Sequence, residues 1–407
     1  MMEVSKIGRK ILHVDVNNAF LSWTAVDMLS NGATIDIRKI PAVIGGDEKS
    51  RKGVVLAKSI PAKKMKIVTG ESLFQARNKC PSIEIYPLNF NLYTKMSNAM
   101  VNILLEYTDQ IERFSIDECF MDMTNFVKTD EELLDKANEI SIRIKNELKF
   151  TVNIGVAHNK LLAKMASDLE KPDRVHTLFE NEIASKIWKL PIEDLFMVGR
   201  RSGPKLRKMG ITTIGELARE NKEVFIQKFG KLGITIWEYA NGIDKSEVIC
   251  EEPEPKSIGN SITLPYDIKD IERLNQVILT LSEQVTYRLR KQNLLATVVN
   301  VQIKTKEFET FNHQQKLQFP TDETKEIYNL AKDLLLVIKK DYYIRLLGVR
   351  VDNLVEKSEH QISLFEKAEN SKDKKIDLVM DKIKQKYGYD SITHGGSLKE
   401  MSSKKYK

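Results

Sequence analysis

At 407 residues the chain is too long for one ordinary hydrophobic core, and two to four domains are expected. Apolar residues make up 42% and charged residues 30%, the balance of a soluble globular protein, and 64 Lys and Arg against 57 Asp and Glu leave only +7, a weak pointer to a polyanionic partner. Three widely spaced cysteines, Cys80, Cys119 and Cys250, argue against a disulfide framework or a zinc site, and no segment reaches the length of a membrane span, so an intracellular protein is expected.

In chain order, "KILHVDVNNAF" reads as a buried strand, Ile11 to Val16, then a polar bend and a helix over about 20–29. Residues 30–88, rich in Gly, Pro, Lys and short strands, have the composition of a small inserted module. The run from Arg51 to Lys66 holds six basic residues and no acid. A helix over about 92–107 leads to "FSIDECFMDMT", where Asp117 and Glu118 stand side by side in an otherwise apolar or small stretch. Neighbours on a strand point to opposite faces, so adjacent acids share a target only at a turn or bulge. A β-hairpin with acids at its bend is the expected structure, with a solvated turn as the plain alternative. A helix over 131–148, the strand "FTVNIGVA" and a helix over 159–169 that stops before Pro172 follow.

From about Phe179 the pattern becomes short helices separated by Gly. "VGRRSGPKLRKMGITTIGELA" has the shape of a helix-hairpin-helix, and Gly199 to Lys208 carries five basic residues and no acid. Backbone N–H groups at such a Gly turn can hold a phosphate without reading sequence. "EEPEPKS" looks like a linker. After it the order strand, helix, strand, strand, helix, strand, from Ile258 to Leu354, describes a complete βαββαβ domain. Beyond Val355 the composition is polar and rich in Lys, so a mostly mobile tail is expected, with one candidate amphipathic helix from Lys375 to Tyr387.

Asp15, at the end of the first strand, converges with Asp117 and Glu118 if that strand lies beside the hairpin. Three carboxylates so close repel unless divalent cations sit between them. Mg²⁺ suits such a site, and a pair of ions serves phosphoryl-type displacement.

"VDVNNAF", "SIDECFMDMT", "TVNIGVAHNKLLAKMASDLEKPD", the helix-hairpin-helix and the βαββαβ domain, in this order, resemble the Y-family lesion-bypass DNA polymerases from about Ile11 to Val355. The resemblance implies an α+β right-hand polymerase: a palm over 1–29 and 89–178, small fingers over 30–88, a helix-hairpin-helix thumb over 179–245, a linker over 246–256, a little finger over 257–356 and a tail over 357–407. It implies low-fidelity copying of damaged template without proofreading, by a monomer in a bacterial cytoplasm, on primer-template DNA and deoxynucleoside triphosphates. Two Mg²⁺ ions would be held by Asp15, Asp117 and Glu118 with the Val16 carbonyl. Phe20 would block a ribose 2′-hydroxyl, Lys63 and Lys171 would contact the triphosphate, and Gly199, Arg200, Arg201 and Lys205 the DNA backbone. Ile60 and Lys63 depart from the Tyr and Arg common in the family's fingers, which lowers the expected triphosphate affinity, and Val54 and Leu56 give the pocket a bulkier roof. "HQISLF" matches a Q-x-x-L-F clamp-docking pattern, with Gln361, Leu364 and Phe365 as anchors for a sliding clamp. Two other readings remain open on the residues: a clamp-recruited DNA-binding accessory protein with weak or partner-dependent polymerase activity, and a two-metal nuclease. Asp122, His158 and Cys119 read as structural.

Overall fold

A computed structural model describes residues 8–46, 53–251, 254–358 and 372–395. They form two compact units, one ending at residue 251 and the other beginning at 254.

In the first unit, β1 (Ile11–Val16) is followed by α1 (Ala19–Ser30). The inserted module then contributes β2 (Ala42–Gly45), β3 (Val55–Lys58), α2 (Ile60–Lys64), α3 (Leu73–Lys79) and β4 (Glu84–Tyr86). Next come α4 (Phe90–Leu105), β5 (Ile111–Arg113), β6 (Glu118–Asp122), α5 (Asp130–Leu148), β7 (Val152–Ala157), α6 (Lys160–Asp168) and β8 (Val175–Thr177). Five of these strands make one sheet in the order β5-β6-β1-β7-β8, antiparallel except for the β7–β8 pair, so β1 is central. Its alternation divides two cores. Leu12, Val14 and Val16 join Trp23, Tyr93, Met100 and Ile140 from α1, α4 and α5. Ile11 and, on β6, Phe120 face the opposite side with Leu161, Leu162 and Met165 of α6.

The inserted module is a three-stranded sheet, β3-β2-β4, around a small core of Val43, Val55, Ile67 and Leu73. Its helices start on serine: Ser59 accepts from the Ala62 N–H at the head of α2, and Ser72 forms a capping box with Gln75 at the head of α3. Helix α6 lies on β7 at backbone contact. A Cβ on Gly155 would sit 1.8 Å from the Ala163 carbonyl oxygen, so the residue has to be glycine. The unit closes with α7 (Ile183–Lys186), α8 (Gly203–Lys208), α9 (Ile214–Arg219), α10 (Lys222–Phe229) and α11 (Lys231–Ala240). Leu206, Ile214, Leu217, Phe225 and Ile236 from these helices join the α6 core.

The second unit contains β9 (Ser257–Ile268), α12 (Ile271–Lys291), β10 (Leu294–Thr305), β11 (Thr310–Thr321), α13 (Thr324–Lys339), β12 (Ile344–Glu356) and α14 (Lys372–Tyr387). The sheet is antiparallel throughout, β11-β10-β12-β9, with α12 and α13 burying Val277, Leu281, Ile327 and Leu334 against Val299, Val301, Leu347 and Val349. This is the βαββαβ series read from the sequence.

In the tail read as mostly mobile with one candidate helix from Lys375 to Tyr387, that helix forms as α14 and is docked by charge. Asp377 accepts from the Thr324 N–H (2.9 Å) and hydroxyl (2.8 Å), capping α13, whose own N-cap residue supplies no side-chain cap. Arg290 of α12 reaches Asp381 at 2.6 and 3.0 Å and donates to the Asp322 carbonyl at 2.8 Å. Lys384 pairs with Glu283, which also bonds His394 at 3.2 Å. Asp377, Asp381, Lys384 and Glu283 are all buried, while Ile376, Leu378 and Val379 face solvent.

Candidate active site

The site forms where β1 ends beside the hairpin. Phe114 and Ser115 donate backbone N–H groups to the Glu118 carbonyl at 3.0 and 3.1 Å, closing a tight turn between β5 and β6. The β1–β6 register sets Asp15 directly opposite Glu118 and His13 opposite Phe120, so all four share the α6 face of the sheet. Glu112 pairs with Phe120 from the other side and extends the same face. Three carboxylates therefore run across the sheet: Glu112, Glu118 and Asp15.

Helix α6 answers with lysines. Asn159 caps it by accepting from the Leu162 N–H, and Lys160 and Lys164, four residues apart, point at the sheet together. Lys160 meets Glu112 at 2.6 Å, Lys164 meets Glu118 at 2.6 Å, and Lys171, in the loop after α6, pairs with Asp15 and with Asp168 at 2.8 Å. Burial raises the Asp15 carboxyl to about 6 against the opposing pull of Lys171 and Lys164. For Lys171, burial works against the charge but is outweighed by Asp15 and Asp168, and its ammonium is held above the ordinary range. His13 is buried and kept neutral by desolvation and by the two lysines, with Nδ1 on the Ser167 hydroxyl at 2.8 Å.

Asp117 meets β1 through its backbone, its carbonyl accepting the Val16 N–H at 3.0 Å, while its carboxylate accepts from the Ser115 hydroxyl at 2.6 Å. Of the three acids singled out from sequence, Asp15 and Glu118 are thus brought face to face and Asp117 stands one residue away with its carboxylate turned into the hairpin. Among the described residues no three Asp, Glu, His or Cys side chains are gathered closely enough to hold a metal ion. Carboxylates that repel one another take the nearest donors instead, Lys164 and Lys171 for two of them and Ser115 for the third. The buried Asp15 facing the partly buried Glu118, with the Val16 carbonyl at the strand end, offers hard oxygen donors of the kind that suit Mg²⁺.

Phe20, in the first turn of α1, stacks on Tyr93 with ring centres 4.7 Å apart, and Phe90 stands edge-on to it at 6.5 Å. The left-handed Asn18 (φ 51°) makes the bend between β1 and α1, and Phe20 enters α1 just after it. Lys63 lies exposed on α2 and, among the described residues, is not one of the side chains that meet the carboxylates. Ile60 and Val54 are exposed on the same module. At the helix-hairpin-helix turn, Gly199 donates its N–H to the Ser202 hydroxyl at 3.0 Å and accepts from the Gly203 N–H at 2.9 Å, leaving Arg200, Arg201 and Lys205 exposed around it. Gln361, Leu364 and Phe365 lie outside the described residues.

Of the residues read as structural, Asp122 accepts from the Thr124 N–H at 2.9 Å and burial pushes the Cys119 thiol up to about 12, while His158, read as a packing residue for want of a partner, packs on Phe179 and also bridges Asp130 and Glu180 at 3.0 and 2.8 Å. Sequence reading missed Lys160 and Lys164, whose spacing on α6 was the available signal, and Asn17 and Asn153, polar residues inside apolar strands. In the second unit, the sheet face away from the helices carries a polar groove of about 580 Å³ lined by Ser261, Asn300, Gln302, Asn312 and Arg350, with Gly259 and Gly348 in its floor. A Cβ on either glycine would press on the next strand, 2.9 Å from the Arg350 Cβ or 3.0 Å from the Ser261 Cβ.

Comparison with known proteins agrees with this architecture. Residues 14–168 match the impB/mucB/samB family and residues 255–364 the C-terminal domain of that family. The chain is 47% identical to a DNA polymerase IV of Clostridium acetobutylicum over 98% of its own length and 100% of that protein. It is 36% identical to a DNA polymerase IV of Bacillus subtilis, covering 98% and 95% of the two chains. A solved Y-family DNA polymerase chimera of Dbh and Dpo4 superimposes with a TM-score of 0.73 at 25% identity, covering 85% of this chain and 99% of that one. The fold is therefore the right-hand polymerase with a palm sheet, small fingers, a helical thumb and a βαββαβ little finger, and the chain belongs to the impB/mucB/samB family of Y-family polymerases as a DNA-directed DNA polymerase.

Proposed function

We propose that this polymerase extends primers past damaged template bases, with low fidelity and no proofreading, by a reaction that uses two Mg²⁺ ions. The observation that carries the reading is the buried Asp15 set against Glu118 at the end of β1, with Asp117 beside them on the hairpin. Asp15, Asp117, Glu118 and the Val16 carbonyl would hold the ions, which when bound supply positive charge at the attacking and leaving oxygens. In the reaction the primer 3′-hydroxyl attacks the α-phosphorus of the nucleotide and pyrophosphate leaves. Lys171, half-exposed at the rim of the site, is placed to neutralise charge on the departing phosphates, and Lys63 on α2 is the second candidate. Phe20, braced by Tyr93, excludes a 2′-hydroxyl by bulk.

Duplex binding would run through phosphates, at Gly199, Arg200, Arg201 and Lys205 in the first unit and at the polar sheet face in the second. Gln361, Leu364 and Phe365 would tether the chain to a sliding clamp. The expected setting is the bacterial cytoplasm, where the enzyme acts as a monomer. An exposed Ile60, where many relatives carry a phenol, favours one variant of this reading, in which a partner protein is needed for full triphosphate affinity.

The test is primer extension opposite an abasic site with Mg²⁺. The native chain should insert and extend while Asp117→Ala should not. Equal products from both proteins, or degradation of primed DNA without nucleotides, would overturn the reading.

A further inference from the structure

Lys171 has to be aimed, and the loop that carries it is held by two buried asparagines. Asn153, in β7 and wholly buried, donates one amide hydrogen to the Ser167 carbonyl in the last turn of α6 at 3.0 Å and the other to the Glu170 carbonyl in that loop at 2.6 Å. Its oxygen accepts from the Asn17 amide at 2.9 Å. Asn17, two residues beyond Asp15 and also buried, uses its own oxygen twice, taking the Thr151 hydroxyl at 2.9 Å and the Asp173 N–H at 2.8 Å. The main chain is thereby gripped at Glu170 and at Asp173, on either side of Lys171. Lys145 adds a 2.5 Å pair to the Asp173 carboxylate, and the Ile154 N–H donates to the Arg174 carbonyl at 2.9 Å.

Burying two amides costs free energy unless their donors and acceptors are met, and here both carbonyl oxygens are bonded and three of the bonds tie the pair to the loop or to each other. A buried carboxamide pair with no apolar role, joining the strand that ends in Asp15 to the loop that carries Lys171, has the form of a positioning device. The direction of its bonds requires Asn at 17. Asp there would set a carboxylate against the Asn153 oxygen, acceptor against acceptor.

We infer that Asn17 and Asn153 are positioning residues that fix Lys171 for the triphosphate. The inference rests on the reading of Lys171 as a triphosphate contact. Asn153→Ser removes the bond to Glu170 in the loop and the bond to Ser167 at the end of α6, and should raise the KM for the incoming nucleotide about three- to tenfold, with kcat changed much less. Thr151→Val, which deletes one hydroxyl and keeps the shape of the strand, should move KM in the same sense by less. Lys171→Ala should raise KM roughly tenfold or more. The decisive measurement is the pair Asn153→Ser/Lys171→Ala, in which the asparagine substitution should add nothing further to KM. Circular dichroism establishes that each variant is folded, and if Asn153→Ser is not, Thr151→Val with and without Lys171→Ala carries the same comparison. A KM effect of equal size in both backgrounds, or a loss confined to kcat, would overturn the inference while leaving the role of Lys171 intact. An unchanged KM in Lys171→Ala alone would overturn the role of Lys171 itself.

Discussion

Replacing Asp15 by Asn should abolish synthesis and at the same time make the protein more stable. Asp15 has a side chain only 7% exposed, and burial outweighs its ion pair with Lys171, so its carboxyl titrates near 6 in the folded chain against an ordinary value of 3.8. The folded state therefore favours the neutral form. Stability from that neutral form is full below pH 3.8 and is lost as pH rises through about 6. A difference of about two pKa units corresponds to about 3 kcal/mol at neutral pH. Lys171 loses one partner in the variant but keeps Asp168 at 2.8 Å and is half-exposed, which brings the expected gain to roughly 1–3 kcal/mol. Urea unfolding in EDTA at several pH values reads this directly. The Asp15→Asn variant and the native chain should be equally stable near pH 3.5, diverge between about pH 4 and 6, and stay apart by a constant amount above. A variant that is no more stable than the native chain at pH 8 would show that Asp15 is held as a favourable ion pair, and the cost assigned to its buried charge would be wrong.

Phe20→Ala should let ribonucleotides in, raising their incorporation relative to deoxynucleotides by on the order of tenfold or more in single-nucleotide kinetics, since the stacked ring is the bulk that would meet a 2′-hydroxyl. Replacing Arg200 and Arg201 by Ala should weaken binding to every duplex alike and lower the slope of log affinity against log salt by about 0.9 for each phosphate no longer neutralised, measured by fluorescence anisotropy. Asp377→Ala uncaps α13 while leaving Arg290 its two bonds to Asp381, and should cost roughly 1–3 kcal/mol, seen as faster amide exchange at the start of α13 and along α14. His394, whose pKa is raised chiefly by its bond to Glu283, stabilises the docked end of the chain below its ordinary value of 6.5 and ceases to as pH rises through the raised one, so exchange there should speed up on the alkaline side.

Periodicity made most of the fold legible. The Ile11–Val16 strand, the hairpin around Asp117 and the whole βαββαβ series emerge within a few residues of their reading, because each buries a regular apolar face. Helix α14 shows where that logic stops. Its sequence offers Ile376, Val379, Met380 and Ile383 as a row fit for a core, yet of these only Met380 is buried, and the structure buries Asp377, Asp381 and Lys384 beside it because Arg290, Glu283 and Thr324 await them on α12 and α13. Such pairing depends on partners 53 to 101 residues away in the chain. The acids of the candidate site were visible as residue types, and register alone set Asp15 against Glu118. Which lysine serves which acid was not visible, since Lys160, Lys164 and Lys171 look alike in sequence. Asn153 did leave a trace: an amide inside "TVNIGVA" is rare in a buried strand unless its bonds are made.

Gly155 has a bearing on how this site can vary. Where α6 crosses Gly155, bare main chain touches main chain, so at that point no side chain lies between helix and sheet that could shrink or swell to retune the helix's height. Lys160 and Lys164 ride on that helix as a rigid rack, so their reach toward Glu112 and Glu118 is set by a missing methyl group. Even alanine at 155 would lift the rack as a whole and part both pairs at once, which leaves lineage drift or laboratory selection free to exchange the lysines but not to move the platform that carries them.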